Sequence, residues 1–301
     1  MRVFVTGAAG FVGGHLLSRL ESAGNRVTAT DREVDVTDPR SLGAAVRAVQ
    51  PEAIVHLAAQ SSVQASYQDP ADAFRINYLG TLTLLRVVEA DAPGARVLLV
   101  GSSDAYGSTG AGAGAGARPI RESDPLAPES PYARSKAAAE LLGALAAERG
   151  LDVVRVRAFT HIGPGQTDRF VASSFAKQVA EIAAGHREPR LAVGNLDSVR
   201  DFLDVRDVVE AYCRLLDGRV PRGVYNVASG RGVAVREILD TLAGLAGIQP
   251  EIEIDPARFR PADRRIGDAS RLRTATGWAP RIDLRDTLCD TLDFWRDASA
   301  R

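Results

Sequence analysis

Short runs that are apolar on both faces recur through the first half of the chain, at residues 2–5, 26–30, 53–57, 95–100 and 153–157. Strands of that kind belong to parallel sheets, because the crossover helices cover both surfaces. The intervals read as helices, most clearly 71–89 and 131–149, the second carrying Ala137-Ala138-Ala139-Glu140-Leu141-Leu142. With right-handed crossovers, the alternation predicts an α/β fold built on a doubly wound parallel sheet of the Rossmann type. From about residue 160 the rhythm becomes irregular and is punctuated by Gly163-Pro164-Gly165, Pro221, Pro250, Pro256, Pro261 and Pro280. The expected division is a nucleotide-binding domain over 1–160 and a smaller C-terminal substrate-binding lobe over 161–301, with segments of the lobe returning to the main sheet.

Composition narrows the partners. The chain has 301 residues, 45% apolar and 25% charged, with a formal net charge of −1. That balance suits a folded protein with a large core and offers nucleic acid no basic surface. The first strand starts at residue 2 and no apolar run approaches the length of a membrane span, so neither a secretion signal nor a membrane segment is expected. The expected location is the cytoplasm. Cys213 and Cys289 lie far apart, and His15, His56, His161 and His186 share no ligand spacing. Neither a disulfide framework nor a metal site is therefore expected.

The chemistry begins in Gly7-Ala8-Ala9-Gly10-Phe11-Val12-Gly13, between the first apolar run and a helical stretch. Glycines at a strand-to-helix turn let the backbone approach a pyrophosphate, and the helix N-terminus presents N–H groups and a positive dipole end to it. Asp31, 18 residues after Gly13 at the end of the second run, is placed to accept hydrogen bonds from a ribose. A carboxylate there repels a 2′-phosphate and favours NAD(H), while the adjacent Arg32 could receive that phosphate and leaves NADP(H) possible. Asp35 and Val36 are expected to flank the adenine, and Leu57-Ala58-Ala59 to offer small side chains where the cofactor crosses the strand ends. Ser102 follows the run at 95–100, and Tyr132 and Lys136 share one helix face a turn apart. These three make a proton-transfer set. Ser102 holds the reacting oxygen, Tyr132 exchanges a proton with it, and Lys136 together with the positive cofactor ring is expected to lower the tyrosine pKa.

The GxxGxxG spacing and the Tyr-x-x-x-Lys pair are similar to those of the short-chain dehydrogenase/reductases, and nearly the whole chain resembles their extended, nucleotide-sugar branch. Phe159-Thr160-His161-Ile162-Gly163-Pro164-Gly165-Gln166, Phe175-Ala176-Lys177-Gln178, Val193-Gly194-Asn195-Leu196 and Arg200-Asp201-Phe202-Leu203-Asp204 resemble the GDP-4-keto-6-deoxy-D-mannose reductases. The GDP-mannose 4,6-dehydratases share the Arg-Asp-aromatic segment and have Arg260-Pro261-Ala262-Asp263 in the form Arg-Pro-x-acid. The resemblance implies reduction of a 4-keto sugar at C4, giving GDP-D-rhamnose. It also implies cofactor contacts from Asn77, Phe159 and Ile162, and substrate contacts from Ser61, Ser103, Thr160, Asn195, Arg200, Arg260 and Asp263. Arg200 and Arg260 are the implied diphosphate and nucleotide ligands. The bland alternative pairs Arg200 with Asp201 or Asp204.

Two departures stand out. Thr160 occupies a place where the relatives usually carry Asn, and a hydroxyl does not supply both functions of an amide. A Gly-Ala tract over 108–117 is either a lid or an insertion without a role. Asp104, two places after Ser102, stands where the dehydratases carry the acid that removes the C5 proton, so a dehydratase remains an alternative. A dTDP- or UDP-linked sugar is another. A homodimer through the helices at 71–89 and 131–149 is implied by the resemblance, with Leu79, Leu82, Leu85, Leu141, Leu142 and Leu145 supplying apolar surface.

Overall fold

Neighbouring strands of one parallel sheet are what the five apolar runs become in the computed structural model, which describes residues 1–108, 118–256, 259 and 262–299. In chain order they are β1 (Arg2–Thr6), β2 (Arg26–Thr30), β3 (Ala53–His56), β4 (Arg96–Ser102) and β5 (Val153–Ala158). Val3, Val5, Ile54, Val55, Val97, Leu98, Val154 and Val156 are fully buried, as strands covered on both faces require. β2 lies at the edge and is mostly exposed.

The lobe contributes β6 (Thr160–Ile162), β7 (Arg190–Val193), β8 (Val199–Asp204), β9 (Gly223–Val227), β10 (Gly232–Ala234), β11 (Glu251–Ile254) and β12 (Arg264–Arg265). β9 returns to the main sheet as its sixth strand, in the order β2-β1-β3-β4-β5-β9, every pair parallel. β8 lies between β10 and β12 in a second small sheet and also pairs with β6, while β11 pairs with β7.

Helices α1 (Phe11–Ser22), α2 (Pro39–Val49), α3 (Val63–Gln68), α4 (Pro70–Phe74), α5 (Gly80–Asp91) and α6 (Pro131–Glu148) fill the first half. Asp38 caps α2 by accepting from Arg40 N, and Pro39 sets its first turn. The stretch 71–89 is not one regular helix. Arg75–Leu79 forms a π-helical turn between α4 and α5, and Asn77 in it is buried. Beyond β6 come α7 (Val171–Ala183), α8 (Val205–Leu215), α9 (Val235–Ala246), α10 (Ser270–Thr276) and α11 (Leu284–Ser299).

Leu16 and Leu20 of α1 join Val208 and Tyr212 of α8 and Trp278 in the core on one sheet face, and Leu42, Leu84 and Val88 pack the other face. A separate core under the lobe combines Phe175, Val179, Leu191, Ile238, Leu242 and Leu292. No described helix is long and apolar enough to cross a membrane.

Candidate active site

The glycine loop is fixed by close approach. Gly7 has φ +70°, and a Cβ there would sit 2.5 Å from the Ala58 nitrogen; a Cβ on Gly13 would sit 2.1 Å from the Ala8 carbonyl oxygen. Only hydrogen fits at either place, so α1 begins hard against the ends of β1 and β3. Its N-cap, Gly10, makes no side-chain cap bond, and the first turn holds no acid. That amide end is a fitting seat for a pyrophosphate. Phe11 stacks on His161 at 6.2 Å, and His15 Nε2 bonds the Pro164 carbonyl oxygen at 2.9 Å, so α1 is docked onto the segment after β5.

Ala8 N donates to the Thr30 carbonyl at 3.0 Å, which brings Asp31 beside the loop. Asp31 N donates to Glu33 Oε1 at 2.7 Å, and this bond holds the Glu33 carboxyl below its ordinary range. Asp35 Oδ1 accepts from both Thr37 N and Thr37 Oγ1 at 2.8 Å, and its carboxyl too is held low. Val36 is buried against Gly80, where a Cβ would meet it at 2.9 Å. Three carboxylates and Arg32 thus rim this end. Leu57, Ala58 and Ala59 are half-buried at the end of β3.

Ser130 caps α6 by accepting from Ala133 N at 3.1 Å, and Tyr132 N donates to Ser66 Oγ at 3.1 Å. Those bonds set the first turn of the helix. Lys136 Nζ, a turn on, donates to the Val100 carbonyl at 2.8 Å, and burial pushes its pKa down to about 8. Ser102 Oγ accepts from Asp104 N at 3.1 Å. The Tyr132 hydroxyl is pushed well above its ordinary value, by burial first and by Asp104 second, against a hydrogen bond with Ser102. The protein's own groups therefore move the tyrosine opposite to the expected lowering. Burial outweighs the rest, and the ammonium of Lys136 is held by a strand carbonyl. His56, noted in the sequence only for lacking metal-ligand spacing, also belongs here. Its Nδ1 bonds Thr6 Oγ1 at 2.8 Å, and burial with the charge of Lys136 takes its pKa down to about 3, so it is neutral.

Asn77 braces the site. Its Oδ1 accepts from Gln60 N at 2.8 Å, and its Nδ2 donates to the Gln60 carbonyl and to Ser135 Oγ. The residue is 1% exposed, and its side chain ties the loop after β3 to α6. Phe159 and Ile162 are 2% and 1% exposed, with their side chains in the two cores. Ser103 is buried behind Ser102. Ser61 is exposed before α3, Thr160 is half-buried on β6, and Asn195 Oδ1 accepts from Asp197 N at 2.9 Å on the turn between β7 and β8.

On the substrate side, Arg200 pairs with Asp263 rather than with Asp201 or Asp204. Asp201 instead accepts from Ser229 N, Ser229 Oγ, Gly230 N and Gly267 N. Asp104, the candidate base, is held by Arg265, which sequence reasoning missed because no motif singled it out. Arg260 and the tract over 109–117 lie outside the described residues. Among the described residues, no group of three His, Cys, Asp or Glu could hold a metal ion.

A family model described as GDP-mannose 4,6 dehydratase matches residues 32–291. GDP-6-deoxy-D-mannose reductase of Pseudomonas aeruginosa PAO1 is 41% identical over 299 residues, covering 98% of this chain and 97% of the relative. The solved structure of RMD from Pseudomonas aeruginosa complexed with NADPH superposes with TM-score 0.90 at 40% identity and 99% coverage of both chains. UDP-glucose 4-epimerase of Thermus thermophilus, complexed with NAD, gives TM-score 0.87 at 32% identity, over 99% of this chain and 100% of that one.

Proposed function

We propose that this chain, which belongs to the GDP-mannose 4,6-dehydratase family of extended short-chain dehydrogenase/reductases, reduces the C4 ketone of GDP-4-keto-6-deoxy-D-mannose to give GDP-D-rhamnose. The observation that carries the reduction is Tyr132: a buried phenol held protonated beside Ser102 is equipped to give a proton to a carbonyl oxygen. When bound, the reduced nicotinamide supplies the hydride to C4. Ser102 holds the ketone oxygen, and Tyr132 delivers the proton that turns it into the hydroxyl. Lys136, a turn along the same helix face, supplies positive charge to offset the phenolate left behind. The loop from Gly7 to Gly13 seats the pyrophosphate, and the carboxylate of Asp31 favours the 2′-hydroxyl of NADH, with NADPH accepted beside Arg32.

Engagement of Asp104 by Arg265 supports a reductase over a dehydratase, because a carboxylate already held by a guanidinium is poorly placed to take a proton from carbon. Arg200 and Asp263, with Arg260, would receive the GDP. Cytoplasmic residence belongs to the same reading, and the free thiols Cys213 and Cys289 suit a reducing compartment. So does a homodimer through α5 and α6.

The test supplies GDP-4-keto-6-deoxy-D-mannose with NADH or NADPH, follows cofactor oxidation by absorbance, and identifies the sugar by NMR. One cofactor oxidised per GDP-rhamnose formed is the expected outcome, and Tyr132→Phe should abolish it while leaving cofactor affinity nearly unchanged. Turnover of GDP-mannose in place of the keto sugar would replace this reading with the dehydratase.

A further inference from the structure

Four alternating charges run in one chain of contacts from the substrate side to Asp104, whose N–H donates to the Ser102 hydroxyl of the proton-transfer set. Arg200 pairs with Asp263, Asp263 with Arg265 at 3.0 Å, and Arg265 with Asp104. Arg265 stands on β12, in register with Arg200 of β8, and its side chain is only 12% exposed. Both terminal nitrogens of its guanidinium go to carboxylates, Nη1 to Asp104 and Nη2 to Asp263.

Resting on the reductase reading, we propose that Arg265 is a positioning residue that neutralises Asp104 beside Tyr132 and so sets how readily the tyrosine gives up its proton. Among the described residues, the charged group that bears on Tyr132 is Asp104, from the turn after β4. Lys136 of α6 has its ammonium on the Val100 carbonyl, and Tyr212 of α8 is itself raised in part by Tyr132. Arg265 faces Asp104 and Asp263, with Arg200 as its like-charged neighbour. A carboxylate next to a phenol favours the neutral phenol, and a cation on that carboxylate weakens the effect. The pair thus trims the influence of an acid that the proton transfer does not use. It also ties the acidity of Tyr132 to the side of the site where the diphosphate binds.

Losing the Arg265 charge leaves Asp104 uncompensated and raises the tyrosine pKa, making a weaker acid that stays protonated to higher pH. Arg265→Met should lower kcat near neutrality by about tenfold and move the alkaline limb of the kcat profile up by about one pH unit. Asp104→Asn should move that limb down, and the double variant should bring it back close to the parent. Arg265→Lys should keep it in place. KM for the nucleotide sugar should change little in Asp104→Asn, while Arg265→Met, which also releases Asp263, should raise it as well.

A loss confined to KM, or Asp104→Asn with an unmoved limb, would overturn the proposal. The Asp104→Asn and Arg265→Lys arms carry the test if Arg265→Met does not fold. Ultraviolet difference titration of the cofactor-bound protein, with Tyr132→Phe as the blank, reads the same shifts without substrate. Failure of the reductase reading therefore shows as parent enzyme inactive on the keto sugar, whereas failure of this inference shows as tyrosine ionisation indifferent to Arg265 and Asp104.

Discussion

In the proposed reading a single carboxylate bears much of the cofactor choice. Asp31 follows β2, and its main chain is pinned by Glu33, so the side chain is the freer part of the residue. A charge-assisted hydrogen bond from a ribose hydroxyl to it is worth roughly 1.5–3 kcal/mol, and a 2′-phosphate in its place meets repulsion. Arg32, exposed beside it, offers that phosphate a counter-charge, and a relative's solved structure is an NADPH complex. Asp31→Ala should raise the kcat/KM ratio of NADPH over NADH by about tenfold or more, measured with both cofactors on one substrate. An unchanged ratio would take Asp31 out of the ribose site. The residues legible at this scale were those whose types declare their chemistry: Ser102, Tyr132, Lys136 and the glycines. Arg265 was not legible, because an arginine shows its purpose only when its partners, 161 and two positions away in the sequence, are in place. The upward push that burial and Asp104 give Tyr132 in the protein alone was not legible either. Spacing put Lys136 on the same helix face, but whether its ammonium faced the phenol or the Val100 carbonyl depended on packing.

At the scale of elements, the strand-to-helix turn at the start of the chain depends on absent side chains. A methyl on Gly13 would overlap the Ala8 carbonyl and push α1 off the loop that it closes. Overpacking of this kind costs roughly 1–3 kcal/mol, and here it also moves the N–H groups that receive the pyrophosphate. Gly13→Ala should therefore lower the melting temperature and weaken NADH binding about tenfold or more, read by thermal denaturation and fluorescence titration. Parent-like values for both would show that the glycine serves neither purpose. Period and polarity revealed β1 to β5 and α6, since each is long enough or apolar enough to carry its own signal. The π turn at Arg75–Leu79 had no such signal, because helical periodicity continues across it; what it does is bring Asn77 inward to meet Gln60 and Ser135. The lobe was harder still. β9 reaches the main sheet only after the excursion through β6 to β8, and nothing in Gly223–Val227 itself names β5 as its neighbour.

Across the whole molecule, α6 has two faces with different obligations. Tyr132 and Lys136 look into the site, and Glu140 is tied to Arg157 by two bonds of 2.6 and 2.9 Å in a buried pair that fixes the helix to β5. The opposite face leaves Leu141 61% and Leu145 47% exposed, and Leu79 beside α5 is 41% exposed. Between the helices lies a groove of about 130 Å³ lined by Leu82, Leu85, Leu142 and Leu145, with Arg86, Glu89 and Arg149 at its rim. The homodimer proposed above would set this surface against a second copy of the chain, related by a twofold axis so that each α5 and α6 meets its equivalents. A stable interface of that type buries on the order of 1,200–2,000 Å² in all, and a leucine replaced by a carboxylate at its centre would carry an unpaired charge into it. Leu141→Glu with Leu145→Glu should therefore turn a dimer into a monomer in sedimentation velocity. Because the same helix begins with Tyr132, the monomer should also lose turnover while its glycine loop, on the far strands β1 and β3, still binds cofactor. A parent protein that sediments as a monomer at micromolar concentration would remove the dimer. A monomeric variant with full turnover would show that α6 holds the tyrosine in place through Glu140 and Ser130 alone.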